Sequence, residues 1–371
     1  MRFRLAQSFL MLMILALVGC GGSSSTSSSS LTTTSSSRAY SGTASVGDFL
    51  SITLDATAQT IKYTNVSNGD SGTVPYTVNA DGTYTLNDPN GNLVAAYEVP
   101  NYALLIQAAK TGPNHDTLAL ITAVAQAPIS LASMANQNYN YMQFRTAAGG
   151  VEVGSVSIDG QDNISNNSYW PYGSVSSQSP FHSGVFPGSS LTQDPSGNFL
   201  KMSDGGNMYD YVFATGNGIF AVDSPNGAIL GLKKASSKAF DPTFAGTYKA
   251  IFYQKTGATT GAGNVETGTP SLGNATITVG SAGQITVVDS SGTTLVQATL
   301  TPFADASYLH GTGEVTDPCN GVFTFRVTTA SSQRDVFVTF MDQAMLFSSF
   351  SADLPWGSGN TYDYLYGVGL K

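Results

Sequence analysis

The chain has 371 residues and an acidic balance, 24 Asp and Glu against 15 Lys and Arg, for a formal net charge of −9. A polyanion binder carries a basic patch, and the densest basic run here is only Lys233, Lys234 and Lys238, which argues against nucleic acid as a partner. Charged residues make up just 11% of the chain, while Gly, Ser, Thr, Asn and Tyr abound, the texture of an exported all-β protein.

Arg2 and Arg4 open the chain, and Phe9 to Val18 form an apolar run of about ten residues, the layout of a secretory signal. A transmembrane helix needs roughly 20 apolar residues, so the run is too short to span. Leu17-Val18-Gly19-Cys20 follows at once. This tetrad resembles the lipobox of bacterial lipoproteins. The resemblance implies that residues 1–19 are a signal peptide, that the Cys20 thiol receives a diacylglycerol, and that the new amino group is often acylated. Stable anchoring takes at least two acyl chains. Gly21 stands where an Asp often retains lipoproteins in the inner membrane, which implies the outer membrane in a Gram-negative host. The plainer alternative is an ordinary secretory signal with an incidental Cys20. A twin-arginine signal is excluded because Arg2 and Arg4 are not adjacent.

Residues 20–38 read as a lipidated tether, since 23–37 are Ser or Thr except for Leu31 and cannot bury enough apolar surface to fold. Its root-mean-square span would be roughly 20 Å, with a stretched limit of about 50 Å. Cys20 and Cys319 are the only cysteines, so lipidation of Cys20 leaves no intrachain disulfide, and stability must come from packing.

From Ala39 onward the apolar pattern has period two, as in "DFLSITLDA", "QTIKYTN", "GTYTLND", "QITVVD" and "VFTFRVTT". Turn clusters such as "NADG", "DPSG" and "DSSG" punctuate it, and "PISLASMANQ" at 128–137 is the best short helix candidate. Four glycine pairs stand nine apart, Gly82 and Gly91, Gly197 and Gly206, Gly218 and Gly227, Gly283 and Gly292, as though closing hairpins with positive φ. Related longer segments predict tandem antiparallel meander modules at 39–127, 128–238 and 239–371, each forming a small barrel or sandwich that hides its strand edges. The alternative is two domains, with the first two modules sharing a core. Tyr362, Tyr364 and Tyr366 fall on one face of a terminal strand, as in outer-membrane barrels. The lipobox, the modest strand lengths and Lys371 argue against a membrane-spanning barrel.

Chemistry is sparse. No G-x-S-x-G occurs, and His115, His182 and His310 share no metal-ligand spacing. Cys319 in "TDPCNG" reads as a small turn residue before a strand, with a reactive thiol as the alternative. The four glutamates, Glu98, Glu152, Glu266 and Glu314, nominate no catalytic pair, so no catalytic residue, metal ligand or cofactor is assigned. "DGQDN" (Asp159, Asp162, Asn163) could hold calcium, but it lacks the full loop pattern, and Asp and Asn are good turn formers.

The richest stretch is 166–190, which reads as a long irregular loop carrying Tyr169, Trp170, Tyr172, Phe181, His182 and Phe186. Flat aromatics beside Asn, Ser and Gln suit a sugar site. They equally suit a plug over a barrel end, as does Trp356. The expectation is therefore a non-catalytic binding or structural envelope module, held to a membrane by its lipid and partnered by a glycan or another envelope protein. The alternatives are a surface hydrolase with paired carboxylates and a lipocalin-like carrier of an apolar ligand.

Overall fold

Period-two stretches such as "TIKYTN" fold as strands whose alternate residues turn inward, and three meanders result. The structure, a computed structural model, describes residues 37–87, 93–111, 117–145, 151–160, 164–170, 182–185, 190–203, 209–214, 218–224, 227–258, 268–305, 319–328, 333–351 and 362–371. Among them, no helix is long and apolar enough to cross a membrane.

The first meander is a closed barrel of β1 (Ser37–Ala44), β2 (Phe49–Asp55), β3 (Thr60–Asn65), β4 (Ser71–Val78), β5 (Tyr84–Asn87), β6 (Leu93–Val99), β7 (Ala103–Thr111) and β8 (Thr117–Ala125). Each strand pairs antiparallel with the next, and β1 closes on β8 with Tyr40 opposite Ala125 and Ala44 opposite Ile121. Ser37 and Arg38, counted with the tether in sequence, are thus strand residues. The interior is filled by Tyr40, Leu50, Ile52, Leu54, Leu104 and Ile121 with their neighbours.

The second sheet holds β9 (Gln137–Arg145), β10 (Val151–Ile158), β11 (Ile164–Trp170), β12 (His182–Val185), β13 (Ser190–Gln193), β14 (Leu200–Ser203), β15 (Tyr209–Ala214), β16 (Ile219–Ser224) and β17 (Gly227–Lys233). The third holds β18 (Gly246–Ala258), β19 (Thr269–Val279), β20 (Gln284–Asp289), β21 (Thr294–Thr299), β22 (Thr301–Pro302), β23 (Val322–Thr328), β24 (Gln333–Met341), β25 (Ala344–Ser351) and β26 (Tyr362–Leu370). In both, the first strand pairs with the last, and the fourth stave is broken in two. In the second barrel β12 pairs back to β11 and β13 forward to β14; in the third, β21 pairs back to β20 and β22 forward to β23, with only Leu300 between the halves. Each nine-stranded sheet is therefore an eight-stave barrel with one cracked stave.

The helical expectation at 128–137 shrinks to a single turn, α1 (Leu131–Met134). Ser130 and Ser133 exchange side-chain to backbone bonds in a capping box, but the next residues are needed for β9. The glycine expectation holds at Gly292, where Asp289 Oδ1 accepts from the backbone of Ser291 and Thr293 and the glycine takes φ of 85°. At Gly227 the glycine ends the β16–β17 hairpin as the first residue of β17, opposite Ser224.

A fourth apolar cluster lies outside all three barrels and joins them. Leu105, Leu120 and Val124 of the first, Phe144, Phe213 and Leu230 of the second, and Tyr253, Phe337, Tyr364 and Tyr366 of the third belong to it. The terminal tyrosine face, which in sequence invites comparison with membrane barrels, is thus turned into protein: the Phe144 ring lies 5.7 Å from Tyr364 and 5.5 Å from Tyr366. Phe49 reaches across likewise and stacks on Tyr211 at 4.8 Å. Polar bonds pin the same junctions: Thr43 donates to Asp223 at 2.7 Å, Tyr102 to the Met341 carbonyl at 3.1 Å, and Asn140 to the Asn320 carbonyl at 2.7 Å. Cys319 is fully buried in this shared cluster, with φ of 49°.

Phe144 is fully buried where the second and third barrels meet. Its replacement by Ala should lower the unfolding free energy by about 3–5 kcal/mol, as for other buried phenylalanines. Equilibrium denaturation followed by tyrosine fluorescence measures it. A loss under 1 kcal/mol would mean that the barrels do not lean on one another.

Candidate functional site

Of the residues that sequence nominates for binding, Tyr169 and Trp170 close strand β11. Tyr172, Phe181 and Phe186 lie outside the described residues, as do Cys20, Trp356, His115, His310, Glu266, Glu314, Asp162 and Asn163. The expected irregular loop is a correction: β11 and β12 occupy parts of it, with Ser165 to Ser168 paired against Val185 to His182. The backbone carries a further feature there. Gly154 faces Ser168 and Val153 faces Trp170, so Tyr169 is the extra residue of a β-bulge. Bulges gather at barrel rims and beside binding sites, where they re-aim a side chain. Among the described residues β12 and β13 each lack a partner on one side. Tyr169 and Trp170 therefore stand one strand from the crack in this barrel's wall.

The strongest polar assembly was not singled out from sequence. Arg38, Tyr40, Tyr84 and Glu98 meet inside the first barrel, beside the turn from β6 to β7. Arg38 holds the carboxylate in a fork, Nε to Oε1 at 2.6 Å and a terminal nitrogen to Oε2 at 2.7 Å. The Tyr40 hydroxyl donates to Oε1, and the Tyr84 hydroxyl to Oε2 at 2.7 Å. Each carboxylate oxygen thus accepts two donors, and the Glu98 side chain has no exposed surface. Nothing is left over to take or give a proton to a substrate, so the group acts as a plug that satisfies a buried charge. The signal was present in "LVAAYEV": Glu98 keeps phase with Val94 and Ala96, which face the interior.

Other acids are committed in the same way. Tyr141 donates to Glu152 at 2.5 Å within the second barrel. Asp335, on the third, takes a fork from Arg326 at 2.7 and 3.0 Å. Asp159 follows β10, and among the described residues no cluster of three or more His, Cys, Asp or Glu is arranged for a metal.

No family model matches the chain, and no curated protein matches it. Among solved structures, transferrin binding protein B from serogroup B Neisseria meningitidis is similar with a TM-score of 0.25 at 10% identity, over 87% of this chain and 64% of that one. A double mutant of transferrin binding protein B from Haemophilus parasuis Hp5 gives 0.26 at 8% identity, over 90% and 76%. This chain spans less than two thirds of the first of these. A likeness at that level carries no function across.

Burial pushes the hydroxyls of Tyr40, Tyr84, Tyr102, Tyr248 and Tyr366 well above the ordinary tyrosine value of 10.0, and Glu98 adds to the effect at the first two. The folded chain then holds protons that the unfolded chain releases near pH 10, so this contribution is complete below pH 10 and lost as pH rises beyond it. Absorbance near 295 nm should show these tyrosines ionising only as the protein unfolds. Smooth titration of every tyrosine near pH 10 in folded protein would contradict the burial. Glu98→Gln should cost about 2–4 kcal/mol, at or below the lower part of the range for broken buried pairs because Arg38 can still reach water.

Proposed function

We propose that this chain is an exported, lipid-anchored protein of the cell envelope, whose fused barrels bind or hold a partner without catalysis. The observation that carries the reading is what fills the barrels. Each encloses its own apolar cluster, and Glu98, the most deeply placed carboxylate of the first, is saturated by Arg38, Tyr40 and Tyr84. A carrier needs an empty lumen, and a glycosidase needs two accessible carboxylates across a sugar. Both alternatives are disfavoured where the structure describes the interior. A rigid body of packed barrels suits display of a surface.

In this proposal Cys20 bears the lipid, residues 21–36 are the spacer, and the outer membrane is the destination in a Gram-negative host. The contact residues proposed from sequence are Tyr169, Trp170, Tyr172, Phe181 and Phe186, of which Tyr169 and Trp170 close β11, and the ligand is a glycan or another envelope protein. No cofactor, metal or nucleic acid enters. The bulge at Tyr169 supports the assignment, since bulges gather at barrel rims and beside binding sites.

Two measurements test it. Cys20→Ala should move the protein from the membrane fraction to the soluble fraction and abolish labelling by radioactive palmitate; an unchanged distribution removes the anchor. On a glycan array the full-length protein should bind at least one class, and Trp170→Ala should lose most of that signal. Equal binding by both forms, or none by either, removes the sugar ligand.

A further inference from the structure

Burial without a partner singles out one joint. Among the described residues, the side-chain atoms Asn140 Oδ1, Thr339 Oγ1, Ser348 Oγ, Ser349 Oγ and Tyr366 Oη are buried and make no hydrogen bond. Ser349 faces the inside of the third barrel, opposite Val336 and Leu365, which pack against that barrel's own cluster. The other four lie on the outer faces where the second and third barrels meet. Asn140 alternates with Tyr139 and Tyr141, which point into the second barrel, and Thr339 with Val338 and Phe340, which point into the third. Ser348 is paired with Phe337 on one side and Tyr366 on the other, both members of the shared cluster. Each of the four is 1% exposed.

The four fall into two pairs of neighbours. Ser348 and Tyr366 are directly opposed across the β25–β26 ladder, where facing Cβ atoms stand about 5 Å apart. The Asn140 amide nitrogen donates to the Asn320 carbonyl at 2.7 Å, and a Cβ on Gly321 would stand 3.1 Å from that nitrogen. The next residue, Val322, is paired with Thr339, so residues 320–322 bring Asn140 and Thr339 to one corner of the joint. A buried hydroxyl or amide oxygen left dry forfeits its hydration, and natural interiors answer such groups with protein or with ordered water. A joint meant to stay dry would gain stability from Phe at 366, Val at 339 and Ala at 348.

We infer that the joint between the second and third barrels binds ordered water, at Ser348 and Tyr366 and again at Asn140 and Thr339. The size of the occupant follows from the packing. The Phe144 ring lies 5.5 Å from that of Tyr366, and Met142, Leu230, Phe337 and Leu346 fill the same cluster. Its charge follows from the groups, since three hydroxyls and an amide oxygen suit a neutral donor and acceptor and offer an ion no counter-charge. A buried water makes about three hydrogen bonds, so one can serve two side chains and a backbone group. The second and third barrels then meet partly through solvent, whereas Thr43 and Asp223 tie the first to the second directly.

Oxygen-17 magnetic relaxation dispersion on the purified full-length protein counts its long-held internal waters. Tyr366→Phe and Thr339→Val each remove a hydroxyl and keep the shape of the side chain. Each variant should lose at least one such water, and its folding equilibrium constant, read from urea denaturation, should fall roughly fivefold or more. A crystal structure of the parent should show solvent density at about 2.5–3.0 Å from Tyr366 Oη. In a dry joint the same substitutions only delete an unanswered polar group, so the water count stays fixed and stability holds or rises. An unchanged count, a variant as stable as the parent or more so, or no density beside Tyr366 Oη overturns the inference.

Discussion

Everything in this fold depends on three barrels turning apolar outer faces toward one another. An ordinary up-and-down barrel is apolar inside and polar outside, and it needs no neighbour. Here Leu105, Leu120, Phe144, Phe213, Tyr253 and Tyr364 point outward and are nonetheless buried, because each barrel serves as cover for the next. The buried pairs Thr43–Asp223 and Asn140–Asn320 give that contact a defined register, since a rotated barrel would leave those groups without partners. The filled interiors follow from the same economy of space: small barrels with Tyr, Phe and Leu inside have no lumen to spare.

Much of this was readable in the chain. Alternation in "TIKYTN" and "QITVVD" marks strands with one wet face, and neither strand contributes a residue to the shared cluster. The runs "ALLIQAA" and "TLALITAVA" lose alternation because both faces of β7 and β8 are buried. What alternation could not tell is what covers the second face. The terminal tyrosines show the limit: a period-two aromatic face looks alike whether lipid or another barrel lies against it, and here it is Phe144. Helix signals misled at 128–137, where a capping pair of serines starts a turn that β9 needs back.

The sites divide in the same way. Aromatic content drew attention to Tyr169 and Trp170, but the bulge that sets them apart is a matter of pairing register with β10 and cannot be seen in composition. Glu98 was legible from its phase, whereas its partners were not: Arg38, Tyr40 and Tyr84 come from strands brought together only by closure of the barrel.

The Arg38–Glu98 fork has a mechanical consequence. Ser37 and Arg38 begin the first stave, so a pull on the chain ahead of them is delivered to the end of β1. That strand is gripped on both sides, by β2 along Ser37 to Thr43 and by β8 along Tyr40 to Ala44, and its second residue is riveted to the opposite wall through Glu98. Load is thereby shared with β6 from the second residue of β1 onward. A molecule held by one end in a moving fluid would keep its shape under drag, with a single ion pair serving as the strain relief where cord meets body.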